Sequence, residues 1–90
     1  MSTIKVKVKF YPQVRKTLPS LHYRPHFVVS GDSEYLGIEF LELDLTEFSV
    51  FSDAEVKTLY DKVGYHKLKK GVCFNILEGG TIVGEGEVLE

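Results

Sequence analysis

A single cysteine, Cys73, leaves this 90-residue chain unable to form an intramolecular disulfide, which suits a reducing compartment. No run of 18 apolar residues occurs, and the opening MSTIKVKVKF alternates charge with hydrophobe where a signal peptide would carry an apolar block. A cytoplasmic protein with no membrane partner is expected. No glycine precedes a Lys-Ser or Lys-Thr pair at the spacing of a phosphate-binding loop, because Gly80, Gly84 and Gly86 lack the lysine that would reach the phosphates. Nucleotide binding is therefore not expected. His22 and His26 stand four apart, but Pro25 opposes the helix that would put both on one face, and no HxH or CxxC spacing supports zinc. With His66 alone, all three histidines read as surface or partly packed side chains. Cys73 lies in an apolar stretch with no base or helix N-terminus to activate it, so it reads as a core residue and not a nucleophile. No carboxylate pair is marked for acid-base work. The sequence predicts no enzyme, no metal and no cofactor.

What is present is a globular composition: 43% apolar residues, with six Phe and five Tyr to fill a core. A chain this short has room for one core, so residues 1–90 are expected to form a single domain. The net charge of −2 conceals a segmental order. Lys5, Lys7, Lys9, Arg15, Lys16 and Arg24 precede the first acid, and residues 25–55 carry eight acids and no base. Five lysines return over residues 56–71 and four glutamates close the chain. A nucleic-acid footprint would require the two basic segments to share a face, since local potential and not net charge gathers phosphates.

Residues 71–88, GVCFNILEGGTIVGEGEV, hold the clearest structural signal. Two apolar runs flank Glu78-Gly79-Gly80, and a Gly-Gly pair between alternating apolar residues predicts a β-hairpin. Val72, Phe74 and Ile76 fall on one face of its first strand, and Cys73, Asn75 and Leu77 on the other. Gly84 and Gly86 share a face of the second strand, where missing side chains signal the close approach of another backbone. At the other end, Ile4, Val6, Val8 and Phe10 alternate with Lys5, Lys7 and Lys9, the pattern of a strand with one wet face. The lysine row reads as a solvent face that deters edge-to-edge pairing.

Between these lies a less regular middle. Residues 12–24, with two prolines and no sustained period, predict a long loop or crossover. A second strand is expected to follow Pro25 to Val29, with a turn at residues 30–33. Leu36, Ile38 and Phe40 hold one phase, and Leu41, Leu43 and Leu45 the opposite phase, which predicts a bulge near Phe40. Residues 46–51 are compatible with a further strand. Over residues 52–64 local rules favour a helix: Ser52-Asp53-Ala54-Glu55 fits a capping box, and Val56, Leu59, Tyr60 and Val63 recur at helical spacing.

Tyr23-Arg24-Pro25-His26-Phe27, followed by the Gly71 to Val88 hairpin, resembles the C-terminal domain, domain three, of elongation factor Tu. In that family a YRPQF-type strand precedes a terminal hairpin of pattern G-x-x-F-x-I-x-E-G-G-x-x-V-G-x-G-x-V. The resemblance implies an all-β fold, a small antiparallel six-stranded β-barrel, and it makes residues 56–63 a strand with Val56, Thr58 and Tyr60 on one face. It also implies a non-enzymatic module that packs against a GTPase domain, touches the T-stem of aminoacyl-tRNA and helps bind an exchange factor.

Carried onto this chain, the RNA contacts of the family correspond to Arg15, Lys16 and Thr17 before the YRP strand, and to Glu78 and Gly79 in the hairpin. A docking face for a protein partner, or for a second copy, would expose Tyr23, Arg24 and Phe27. The family has arginine on both sides of E-G-G, whereas this chain has Leu77 and Thr81, so two cations are missing from the RNA face. Fewer phosphate contacts mean weaker, more salt-sensitive binding. A protein partner is accordingly expected ahead of tRNA, and an intact translation factor is not expected.

Overall fold

Alternation of apolar and polar residues produces strands wherever both faces can be satisfied, and six of them form here. The computed structural model describes residues 3–20, 22–44, 47–60 and 63–90. In chain order the elements are β1 (Thr3–Phe10), β2 (His26–Val29), β3 (Leu36–Leu43), β4 (Ser52–Thr58), a short 3-10 helix (Val63–Lys67), β5 (Cys73–Glu78) and β6 (Thr81–Val88). All pairings are antiparallel, and they close a barrel in the order β1-β4-β3-β2-β5-β6. Closure leaves no sheet edge to pair with another chain.

The expected register holds at both ends of the chain. In β1, Ile4, Val6, Val8 and Phe10 point inward and the lysines outward. In β5, Phe74 and Ile76 point inward; Leu77, opposite His26 and Ile82, is buried outside the core cluster, and the register shift after Ile76 places the extra residue, Val83, in the core. Cys73 is exposed opposite Glu87, so its expected core position is corrected by the phase that Phe74 and Ile76 impose. A Cβ on Gly84 or Gly86 would sit on the carbonyl oxygen of Lys9 or Lys7, and the Gly86 Cβ would also meet the Phe74 ring. Missing side chains thus let β6 lie against β1.

The middle departs more from the sequence reading. The bulge forms where the phase slips, between Phe40 and Glu42; Leu45 and Thr46 lie outside the described residues. Residues 47–51 form turns and not a strand. Over residues 52–64 the strand implied by the resemblance forms in place of the helix of the local rules, because Ser52–Thr58 pairs with β1 on one side and β3 on the other. The strand also starts earlier and ends sooner than residues 56–63: Ala54, Val56 and Thr58 are buried, whereas Tyr60 lies beyond the strand and is exposed.

Inside, Phe10, Phe27, Phe40 and Phe74 are the largest fully buried side chains. Phe27 and Phe74 stack at 3.9 Å between centroids, and Phe27 meets Phe40 edge-on at 6.1 Å. Burying each such ring is favourable by about 1.5–3 kcal/mol. The antiparallel registers place the connections at two opposite ends. One end carries the 11–25 crossover, the 44–51 connection and the Gly79-Gly80 turn; the other carries the 30–35 turn, the 59–72 connection, Thr3 and Glu90.

Candidate functional site

The end bearing the crossover and the hairpin turn brings together most of the residues singled out in the sequence. After β1 the chain is pinned by Tyr11, whose N–H donates to the Val83 carbonyl at 2.9 Å and whose hydroxyl donates to Glu85 at 2.5 Å. Burial first, and then Glu85, push the Tyr11 hydroxyl up to about 12. The turn that follows aims Arg15 back at the hairpin. Its Nε lies 3.0 Å from Glu78 Oε2, and its guanidinium sits 5.0 Å above the Tyr23 ring centroid. The Tyr23 hydroxyl donates to the same Glu78 oxygen.

Tyr23 is thus the middle layer of a stack. Below it, Phe40 lies 5.6 Å away at an interplanar angle of 16°, and Phe10 meets it edge-on at 6.0 Å. Burial, reinforced by the Glu78 carboxylate, holds its hydroxyl far above the ordinary tyrosine range, so it remains a donor. Arg15 Nη1 is buried without a hydrogen-bond partner. Arg15, Tyr23 and Glu78 brace the crossover against the hairpin; the arginine's charge is met by the glutamate and its fork is not open to a phosphate. Lys16 and Thr17 are exposed next to it. Gly79 is exposed with φ +61, and open space surrounds it.

The expected docking trio is not a face. Phe27 is fully buried in the barrel core, because the phase of β2 that places Val28 against the sheet's outer layer sends Phe27 to the axis. Tyr23 is covered by Arg15. Arg24 is exposed, but its Nε donates to Glu39 Oε1 at 2.9 Å.

Glu39 is the residue that sequence reasoning missed. It alternates with Ile38 and Phe40 as an outward position should, yet it is only 3% exposed. The cause is the 22–25 segment, which continues the β2 pairing along β3: Ile38 N–H donates to the Pro25 carbonyl, Phe40 N–H to Tyr23 and His22 N–H to Phe40, at 3.0–3.2 Å. His22, with φ +66, brings Nδ1 to 2.8 Å from the trapped carboxylate, and Lys57 Nζ lies at 3.9 Å. The bond to His22, with those to the flanking cations, holds the Glu39 carboxyl below its usual range despite burial.

The outward lysines of β1 do not form a basic face. Lys7 pairs with Glu87 at 3.4 Å, Lys9 with Glu85 at 3.9 Å and Lys5 with Glu90 at 3.8 Å. In the second basic segment Lys67 is bound to Asp32 at 2.7 Å and to Glu34 at 2.9 Å, and Lys57 lies 3.9 Å from Glu39, whereas Lys69 and Lys70 are exposed. Beside Lys16 and Thr17 the braced end exposes apolar residues: Val14, Val50, Phe51 and Ile82 are each 43–45% accessible, while Tyr35 and Tyr60 are exposed towards the other end. Lys7 and Lys9 place their ammonium groups 5.1 and 4.9 Å from the Phe51 ring centroid.

Among the described residues, no helix is long and apolar enough to cross a membrane, and no three His, Cys, Asp or Glu side chains are grouped to hold a metal ion. Comparison with known proteins finds no matching family model and no matching curated relative.

Proposed function

We propose that this chain is a non-enzymatic, cytoplasmic binding module of the elongation factor Tu domain-three type, and that it docks a protein partner through the barrel end bearing the 11–25 crossover. The observation that carries the reading is the grouping of Val14, Val50, Phe51 and Ile82, all half-exposed, at the end that Arg15, Tyr23 and Glu78 make rigid. Exposed apolar side chains gathered in one region favour a protein contact. The Arg15 to Glu78 pair and the matched lysine ladder of β1 take up cations that an RNA contact would need, which leaves Lys16 as the exposed cation of the 15–17 segment that is unpaired among the described residues.

Hydrophobic-dye binding and sedimentation test this directly. The native chain should bind dye or self-associate at that end, and Phe51→Ser with Ile82→Ser should abolish both. A monomer that leaves the dye unbound would sink the docking surface. Residue-resolved titration with bulk tRNA discriminates the RNA reading: shifts confined to residues 15–17 and 78–79, fading as salt rises, would assign that end to tRNA instead.

A further inference from the structure

A groove of about 630 Å³ crosses the outer surface where β1, β4 and β3 lie side by side. Leu41 and Leu89 supply its apolar walls, Lys5 lines it as well, and Leu43, which also borders it, packs against the core. Leu41 is there because the bulge between Phe40 and Glu42 adds a residue to β3, and Leu89 because its N–H donates to the Lys5 carbonyl at 2.8 Å. Set among these are Glu42, Asp44, Asp53 and Glu55.

The charge order in the groove breaks a pattern kept elsewhere. On the β6 side of β1, Lys7 and Lys9 reach the acids opposite them in register. On the β4 side, Lys7 stands opposite Asp53 and Lys5 opposite Glu55, but these lysines lean to Glu87 and Glu90 instead. None of the four groove carboxylates has an ion pair among the described residues. Glu42 and Glu55 are also direct partners across the β3–β4 ladder. Like charges placed opposite one another destabilise a sheet, so the barrel carries an unbalanced pair in a groove where Lys5, turned to Glu90, is the one cation against four carboxylates among the described residues.

We propose that this groove is a second docking surface, distinct from the apolar barrel end, and that its occupant is an extended segment of a partner protein in which lysine or arginine alternates with aliphatic residues. In such a segment successive side chains point to opposite sides. The aliphatic ones meet Leu41 and Leu89, and the cations meet the carboxylates on the groove walls. Because the walls are open to solvent, the electrostatic part of the affinity falls with ionic strength while the apolar part does not.

The probe is a fluorescein-labelled peptide alternating lysine with leucine, compared with one alternating glutamate with leucine, by anisotropy and by residue-resolved chemical shifts on the full chain. The lysine peptide should bind, shift residues 41–44 and 53–55, and weaken as salt is raised. Glu42→Gln with Glu55→Gln should weaken it roughly five- to tenfold, since each exposed charge contributes modestly, and should leave the fold more stable by removing the repulsion. Glu34→Gln, in the 30–35 turn and outside the groove lining, should leave binding unchanged. Equal binding of the glutamate peptide, an undiminished affinity in the double variant, or shifts spread over all acidic surfaces would overturn the proposal. A concentration-dependent dimer that shifts the same residues without peptide would also overturn it, because the occupant would then be a second copy. Shifts at Phe51 and Ile82 are read separately in the same spectra, so failure here leaves the barrel-end reading to stand or fall by itself.

Discussion

At the scale of single residues, the contacts around Gly86 and Gly80 lead to opposite expectations for the same substitution. A methyl group at Gly86 has to displace the Lys7 carbonyl and the Phe74 ring, whereas Gly80 has open space around its Cα. Gly86→Ala should therefore lose about 1–3 kcal/mol in urea unfolding, by overpacking, and Gly80→Ala should stay within about 0.5 kcal/mol of the native chain. Phe27 belongs to the same scale. It was expected on a docking face, and its stacking on Phe74 places it in the core, so Phe27→Ala should cost about 3–5 kcal/mol. The tyrosines give a spectroscopic check. Alkaline titration should show Tyr11 ionising near pH 12 and not near pH 10, and Glu85→Gln should bring it back towards the ordinary value.

At the scale of elements, the hairpin, β1 and the bulge in β3 were legible in the sequence because each is written in local alternation. Phe10, Phe74 and Ile76 show their inward phase without knowledge of any neighbour. What was not legible depended on partners distant in sequence. Ser52–Thr58 carries helical spacing and a capping box, and becomes a strand because β1 and β3 each offer it a free ladder. Glu39 reads as an ordinary wet position until the 22–25 segment lies over it. Of the candidate site, Arg15 and Glu78 were found by resemblance, but nothing local showed that they face each other. The conflict within β4 is itself testable. A peptide of residues 52–64 should show helical circular dichroism in trifluoroethanol, while backbone shifts of residues 53–57 in the full chain stay strand-like.

At the scale of the whole molecule, acid sensitivity follows from carboxylates that folding draws into contact with cations. Asp32 is brought down to about 2, chiefly by its hydrogen bond from Lys67 and then by the N–H groups of Ser33 and Glu34. Its folded value lies below its unfolded one, so its contribution is complete above about pH 4 and is lost as the pH falls towards 2. Glu39 is lowered too and acts in the same direction. The urea midpoint should thus fall between pH 4 and pH 2. Asp32→Asn should lower the midpoint at pH 7, and its curve should converge on that of the native chain below about pH 2, where neither carries the charge.

The place of β1 in the barrel has a consequence for how the protein is made. Its two neighbours, β4 and β6, are the fourth and the sixth of the barrel's strands in the order of synthesis. For seconds of synthesis, at about 5–20 residues per second, this first strand waits with an apolar side and no complete set of partners. Lys5, Lys7 and Lys9 on one face disfavour pairing of this strand with a copy of itself, because like charges repel across a shared edge. The arrival of Glu85 and Glu87 then converts that repulsion into the cross-strand pairs of the finished barrel. The same three side chains thus guard the chain during translation and help seal it afterwards.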